Sequence, residues 1–292
     1  SALTTWLRPP GSWGSSLAWD KQNEALKRPN MLPRVDLLKG AEYRETLARI
    51  LDLGEQALKT WQVVWSDFLS PPEVAEVQSR LHNLAELQVV AWGGYAQAER
   101  QRLALARSEV SLKVEGAEGI PLAAVQIQGN FLFDPATHRD FLGALLGAGI
   151  AREKVGDILV LGDTGAQAIV VPELVDYLSL NLTQVRSVPV KVSPIPLNQL
   201  KVQPPRVKSI TSVEASLRLD AVASAGFGLS RSKMVEEIQR GEVRVNWKPI
   251  TQASYTVGPQ DWIAIRGRGR LQIEEVAETK KGRFRIQMKR YL

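Results

Sequence analysis

GLSRSKMVEEIQRGEVRVNW, residues 228–247, begins a helix with the wrong charge. Ser230 is a good N-cap, and Met234, Val235 and Ile238 recur at helical spacing until Gly241 stops the run. Yet the first turn carries Arg231 and Lys233, where exposed N–H groups and the helix dipole favour Asp or Glu. The segment before it, VEASLRLDAVASAGFG (213–228), reads as a first helix with Leu217, Leu219, Val222 and Ala223 as its apolar set. The segment after it, EVRVNWK, alternates as a strand. Val243, Val245 and Trp247 lie on one face, and Arg244, Asn246 and Lys248 on the other. Two helices and a strand with one cationic side lack a negative partner in the chain. The reading that supplies one is an anion: backbone phosphate gripped by Arg231 and Lys233, on a surface widened by Arg218, Arg244 and Lys248. Ser230 caps the helix and lends its N–H neighbourhood to an oxygen. Asn246 either reads a ribose or base edge or shapes the turn.

The charge distribution agrees. The 292-residue chain carries a net +6, but residues 206–292 hold 17 Lys+Arg against 9 Asp+Glu, so the rest is slightly acidic. Attraction to a polyanion depends on such local excess. The chain is long enough for several domains. With no cysteine, disulfides, thiolate catalysis and Cys-based zinc sites are excluded. No apolar run reaches the ~18 residues a membrane helix needs. Residues 1–30 mix Trp6, Trp13 and Trp19 with Gly, Ser and Pro and read as a poorly ordered tail.

Outward from the C-terminal module, three further regions emerge. Residues 34–59 recur at helical spacing. WQVVWSDFL (61–69) reads as a strand, and Ser70 with Glu73 forms a capping box that starts a helix, with Pro inside its first turn. LQVVAWGGY (87–95) reads as a strand and AQAERQRLALA (96–106) as a helix, giving an N-terminal α/β domain over 31–107. Over 108–193 the order is strand (122–130), helix (137–150), strand (157–162), turn (163–165), strand (166–171), helix (172–182) and strand (185–192). This β-α-β-β-α-β order is that of a ferredoxin-like domain, without the stacking aromatics of an RNA-recognition motif on its central strands. Four prolines over 193–209 read as a linker spanning 194–209. The C-terminal domain, 210–292, adds strands in DWIAIRGRGRLQIEEV (261–276) and GRFRIQMKR (282–290). The fold class is α+β.

Arg218-Leu219-Asp220, Ser230-Arg231-Ser232-Lys233, Ile238, Gly241, Val243 and Val245-Asn246 resemble the S-four RNA-binding module, named after the fourth protein of the small ribosomal subunit. The resemblance runs from about Ser212 to Arg268, with one departure: Trp247 stands where that family turns on Gly after the Asn. WGGYAQAERQR (92–102), THRDFLGALLGAGIAREKVGDILV (137–160), NLTQVRSVPV (181–190) and RGRGRLQI (266–273) are similar to segments of the YlmH-like family of S-four proteins. The resemblance implies a non-enzymatic bacterial or plastid RNA-binding protein of the cytoplasm or stroma. Its relatives associate with the large ribosomal subunit and act on stalled translation complexes. The partner it implies is structured RNA, either ribosomal RNA or ribosome-bound tRNA, bound by a monomer with no membrane contact.

Motifs for catalysis fail on inspection. His138-Arg139-Asp140 copies a kinase catalytic loop, but Leu145 stands where that loop needs its metal-binding Asn. LGDTGAQ (161–167) lacks the Gly and Lys spacing of a P-loop, and His82 has no companion ligand, so neither cofactor nor metal is expected. SLRLDAV (216–222) resembles a pseudouridine synthase motif, but too little chain follows it for a catalytic domain, and Asp220 reads as structural. Two rival readings remain. One is an RNA-modifying enzyme with its active site before residue 190; the other is an assembly factor whose basic face meets protein.

Overall fold

The computed structural model describes residues 32–112, 121–204 and 206–291; the expected N-terminal tail lies outside them. Helices α1 (Arg34–Leu38) and α2 (Arg44–Thr60) split the first helical run at Gly40, whose φ of +66° ends α1. Helix α2 buries Leu47, Ile50, Leu51 and Leu58 in one stripe. Strand β1 (Val64–Trp65) leads to α3 (Pro71–Leu81), which starts with the expected capping box. The Ser70 N–H and hydroxyl donate to Glu73 Oε2 at 2.8 and 2.6 Å, and Thr46 Oγ1 donates to Glu73 Oε1 at 2.8 Å.

The segment expected as a helix over 96–106 forms strand β3 (Arg102–Arg107) instead, in the middle of an antiparallel sheet of order β1-β3-β2, with β2 at Leu87–Trp92. Arg, Leu and Ala are good helix formers, but that preference is worth only tenths of a kcal/mol per residue. Pairing decides the outcome: Leu105 lies opposite Val64 on one side and Val89 on the other, and residues 102–106 are buried on both faces.

The central domain has strands β4 (Ala123–Gln128), β5 (Val155–Val160), β6 (Gly165–Val170) and β9 (Lys191–Ile195) in the order β5-β6-β4-β9. Counted within the domain this is second-third-first-fourth, the ferredoxin-like arrangement. Helices α4 (His138–Gly147) and α5 (Val175–Asn181) cover one face, around Val125, Ile127, Phe141, Leu145 and Leu178. Gly165 begins β6 at φ +115°, and a Cβ there would meet the Ile127 carbonyl oxygen at 2.0 Å, so the β5–β6 turn requires glycine. The single strand expected over 185–192 is instead a small hairpin, β7 (Gln184–Val185) and β8 (Val188–Pro189), followed by β9. Arg186 turns it at φ +54° and pairs with Asp134 at 2.9 Å.

The second face of this sheet is not open. Ile169 and Val171 pack against Phe68, with Trp65, Trp92, Tyr95, Leu197 and Leu200 around them, so the N-terminal sheet and the first half of the proline-rich stretch cover it. Gln167 in β6 donates to the Gln199 carbonyl at 3.2 Å and accepts from the Lys201 N–H at 2.6 Å. The first part of the expected linker is thereby bonded to the central domain.

The C-terminal domain is a six-stranded antiparallel sheet of order β10-β15-β14-β13-β11-β12: β10 (Val207–Glu214), β11 (Val243–Val245), β12 (Lys248–Pro249), β13 (Trp262–Ile265), β14 (Gly269–Glu278) and β15 (Phe284–Tyr291). Helix α6 (Leu219–Phe227) starts later than the sequence suggests, because residues 207–214 pair with β15 along their full length. Helices α6 and α7 (Arg231–Gln239) lie on one face of the sheet. Leu219, Val222, Met234 and Ile238 bury there against Ile263, Ile265, Leu271, Ile273, Ile286 and Met288. A Cβ on Gly226 would lie 2.2 Å from Leu271 Cδ2, so α6 sits close to β14.

Candidate RNA interface

The seven expected contact residues fall into two groups. Arg218, Ser230, Arg231 and Lys233 gather where α6 and α7 begin. Ser230 caps α7, its Oγ accepting from the Lys233 N–H at 3.3 Å, and the first turn of α7 contains no acid. Asp220 is the centre of this group. It is 5% exposed, accepts from Arg218 Nε at 3.1 Å and Arg231 Nη2 at 3.3 Å, and takes the Ala221 N–H at 3.0 Å. Burial by itself would raise its carboxyl, but hydrogen bonds and charge from Arg218 and Arg231 outweigh that and hold it below the usual carboxylate range. One buried anion therefore orients two guanidiniums that keep 42% and 58% of their side-chain surface exposed. The carboxylate is shared between two cations, so the cluster keeps a positive excess. Lys233 stands exposed beside it and forms no ion pair among the described residues.

The second group sits at the β11–β12 hairpin. Arg244 does not join the first surface: its Nη1 donates to Glu42 Oε1 of the N-terminal domain and to the Trp247 carbonyl, both at 2.8 Å. Asn246 shapes the turn. Its Nδ2 donates to Asp261 Oδ1 at 2.7 Å, its Oδ1 accepts from the Trp262 N–H at 3.0 Å, and its φ is +48°. Trp247, in the glycine position, adopts φ +68°, so the left-handed two-residue turn survives without glycine. Lys248 is exposed next to a cavity of about 620 Å³ shared with Tyr43, Glu76 and Arg80.

Contacts that the sequence did not signal hold the domains together. Arg270 of β14 pairs with Glu99, and Asp157 of β5 accepts from Tyr95 Oη and the Glu99 N–H, both at 2.7 Å. Glu42 and Arg244 are 202 residues apart, and Glu99 and Arg270 are 171 apart, so no local spacing announces either pair. Among the described residues, no group of three or more His, Asp or Glu is placed to hold a metal, and no helix is long and apolar enough to cross a membrane.

Residues 42–110 match the family model described as "YlmH, N-terminal", residues 118–199 that described as "Putative RNA-binding domain in YlmH", and residues 217–263 that of the S4 domain, the S-four module. The chain is 34% identical over 226 residues to the ribosome-associated protein quality control protein P2 of Bacillus subtilis, spanning 77% of this chain and 86% of that protein. The chain belongs to the YlmH family. The cell division protein ylmH from Streptococcus pneumoniae, a solved structure, is 17% identical with a TM-score of 0.48, over 56% of this chain and 96% of that one. In this YlmH-family chain the S4 match begins one residue before Arg218 and takes in both groups of contact candidates.

Proposed function

We propose that the chain binds structured RNA, without catalysing a reaction on it, through the N-terminal ends of α6 and α7. The observation that carries this is the Asp220 hub: it fixes Arg218 and Arg231 beside a helix start whose N–H groups, Ser230 cap and Lys233 all favour phosphate. We assign the direct contacts to Arg218, Ser230, Arg231 and Lys233, a choice supported by the engagement of Arg244 and Asn246 elsewhere. Arg244 and Asn246 act in docking and turn formation, and Lys248 contributes charge at the edge. The name of the Bacillus subtilis relative supports a ribosomal target, and ribosomal RNA or ribosome-bound tRNA is the RNA we assign. The protein acts as a monomer in the compartment where translation occurs.

The test is binding to ribosomal subunits across a salt series, comparing the full chain with Arg231→Glu/Lys233→Glu. Each phosphate contact releases about 0.7–0.9 of a counterion. The double variant is expected to bind far more weakly and with a salt slope lower by roughly 1.4–1.8. Equal affinity and slope would remove α7 from the interface.

A further inference from the structure

The face of the C-terminal sheet opposite α6 and α7 carries a second chemistry. Trp262 of β13 and Tyr291 of β15 lie in ring contact, centroids 5.1 Å apart, and the Arg270 guanidinium sits 5.9 Å from the Trp262 ring. All three border a cavity of about 590 Å³ at the junction of the three domains, completed by Tyr95, His138 and Lys201. Both acids that line it are already engaged: Asp157 by Tyr95 and backbone N–H groups, Glu99 by Arg270. Lys201 is exposed at its edge and forms no ion pair among the described residues. Along β15, Arg285, Gln287 and Lys289 precede Tyr291 at every second position, Lys289 paired with Glu274 and Arg285 without an ion pair among the described residues. They therefore share its face, away from the side where Ile286 and Met288 bury under the helices.

Aromatic rings beside cations on a sheet face are the means by which proteins hold unpaired nucleotides: the base stacks, and the cations take the backbone. The volume lies within the range of small-ligand pockets and suits one nucleotide. We propose that this interdomain cavity binds an unpaired nucleotide, its base against Trp262 and Tyr291 and its phosphate at Lys201, with Arg285 guiding the flanking strand. The C-terminal sheet is then an RNA clamp with two working faces. This rests on RNA binding at α6–α7, to which it adds a single-stranded element.

The experiment compares two RNA hairpins on the full chain by fluorescence anisotropy: one blunt, and one with a single-stranded oligouridine extension. The extension is expected to tighten binding about tenfold, at the scale of one stacked base. That gain should vanish in Trp262→Ala and persist in Trp61→Ala, whose ring lies 4.0 Å from Arg107 in the N-terminal domain. Replacing the uridines of the extension with 5-iodouridine and irradiating the wild type should cross-link peptides containing Trp262 or Tyr291. This readout stands even if the Trp262 variant misfolds. Uridine monophosphate alone distinguishes the source: calorimetric binding that Trp262→Ala abolishes assigns the cavity to free nucleotides, and its absence, with the extension bound, assigns it to an RNA strand. If the extension adds no affinity and cross-links fall elsewhere, this inference fails while α6–α7 binding stands. If neither hairpin binds, both fail.

Discussion

Replacing Asp220 with Asn sets two forces against each other. The change is nearly isosteric but removes the charge that gathers Arg218 and Arg231. Deleting one partner of a fully buried ion pair costs about 3–5 kcal/mol. Here the cationic partners are more than a third exposed and regain water on release, so roughly half of that applies, about 2 kcal/mol. That is about a 30-fold rise in the open population of this domain, read by hydrogen-exchange mass spectrometry on peptides covering residues 216–240. The pH dependence follows from the sign of the shift. The carboxyl is depressed in the folded state, so its contribution is complete above the unfolded value of about 3.9 and fades as pH falls through the lower folded value. Wild type and variant therefore converge on acidification below about pH 4. RNA binding provides the sharper contrast. The variant gains one positive charge at the interface, which by electrostatics alone would tighten binding; orientation by Asp220 requires that it weaken, by several-fold. Exchange unchanged within twofold, or tighter RNA binding, would refute the hub.

Other variants probe other joints of the molecule. Asn246→Ala loses two hydrogen bonds and places a residue with a Cβ and no compensating side chain at φ +48°, so a loss of about 2 kcal/mol is expected in chemical denaturation. Gly226→Ala drives a methyl into Leu271 and should cost about 1–3 kcal/mol, seen as a lower melting temperature with unchanged secondary structure. Glu42→Gln with Glu99→Gln releases Arg244 and Arg270 from the N-terminal domain, and small-angle scattering should report a larger radius of gyration than wild type, the difference narrowing at high salt as the wild-type pairs are screened.

Much of this was legible because it is local. The helix starts at Ser70 and Ser230, and the ferredoxin-like order, all rest on cues a few residues apart: a capping box, an N-cap, alternating apolar positions. Two of the misreadings share one cause, pairing at a distance. Arg102–Arg107 has the composition of a helix and becomes a strand because Val64 and Val89 flank Leu105. Residues 207–214 read partly as linker and partly as helix because their partner, β15, lies 70–84 residues downstream. The candidate cations were legible as types, but their division was not: a basic residue reads alike whether it faces solvent, as Lys233 does, or a carboxylate from another domain, as Arg244 does.

The β10–β15 pairing has a consequence for how the chain is made. β10 ends at Glu214 and β15 at Tyr291, 77 residues later, and the whole helical module lies between them. At synthesis rates of about 5–20 residues per second, β10 waits about 4–15 s for its partner strand. During that interval β14, β13, β11 and β12 can pair, but α6 and α7 lack Ile286 and Met288 beneath them, so the basic cluster they carry is fully seated only once β15 is supplied.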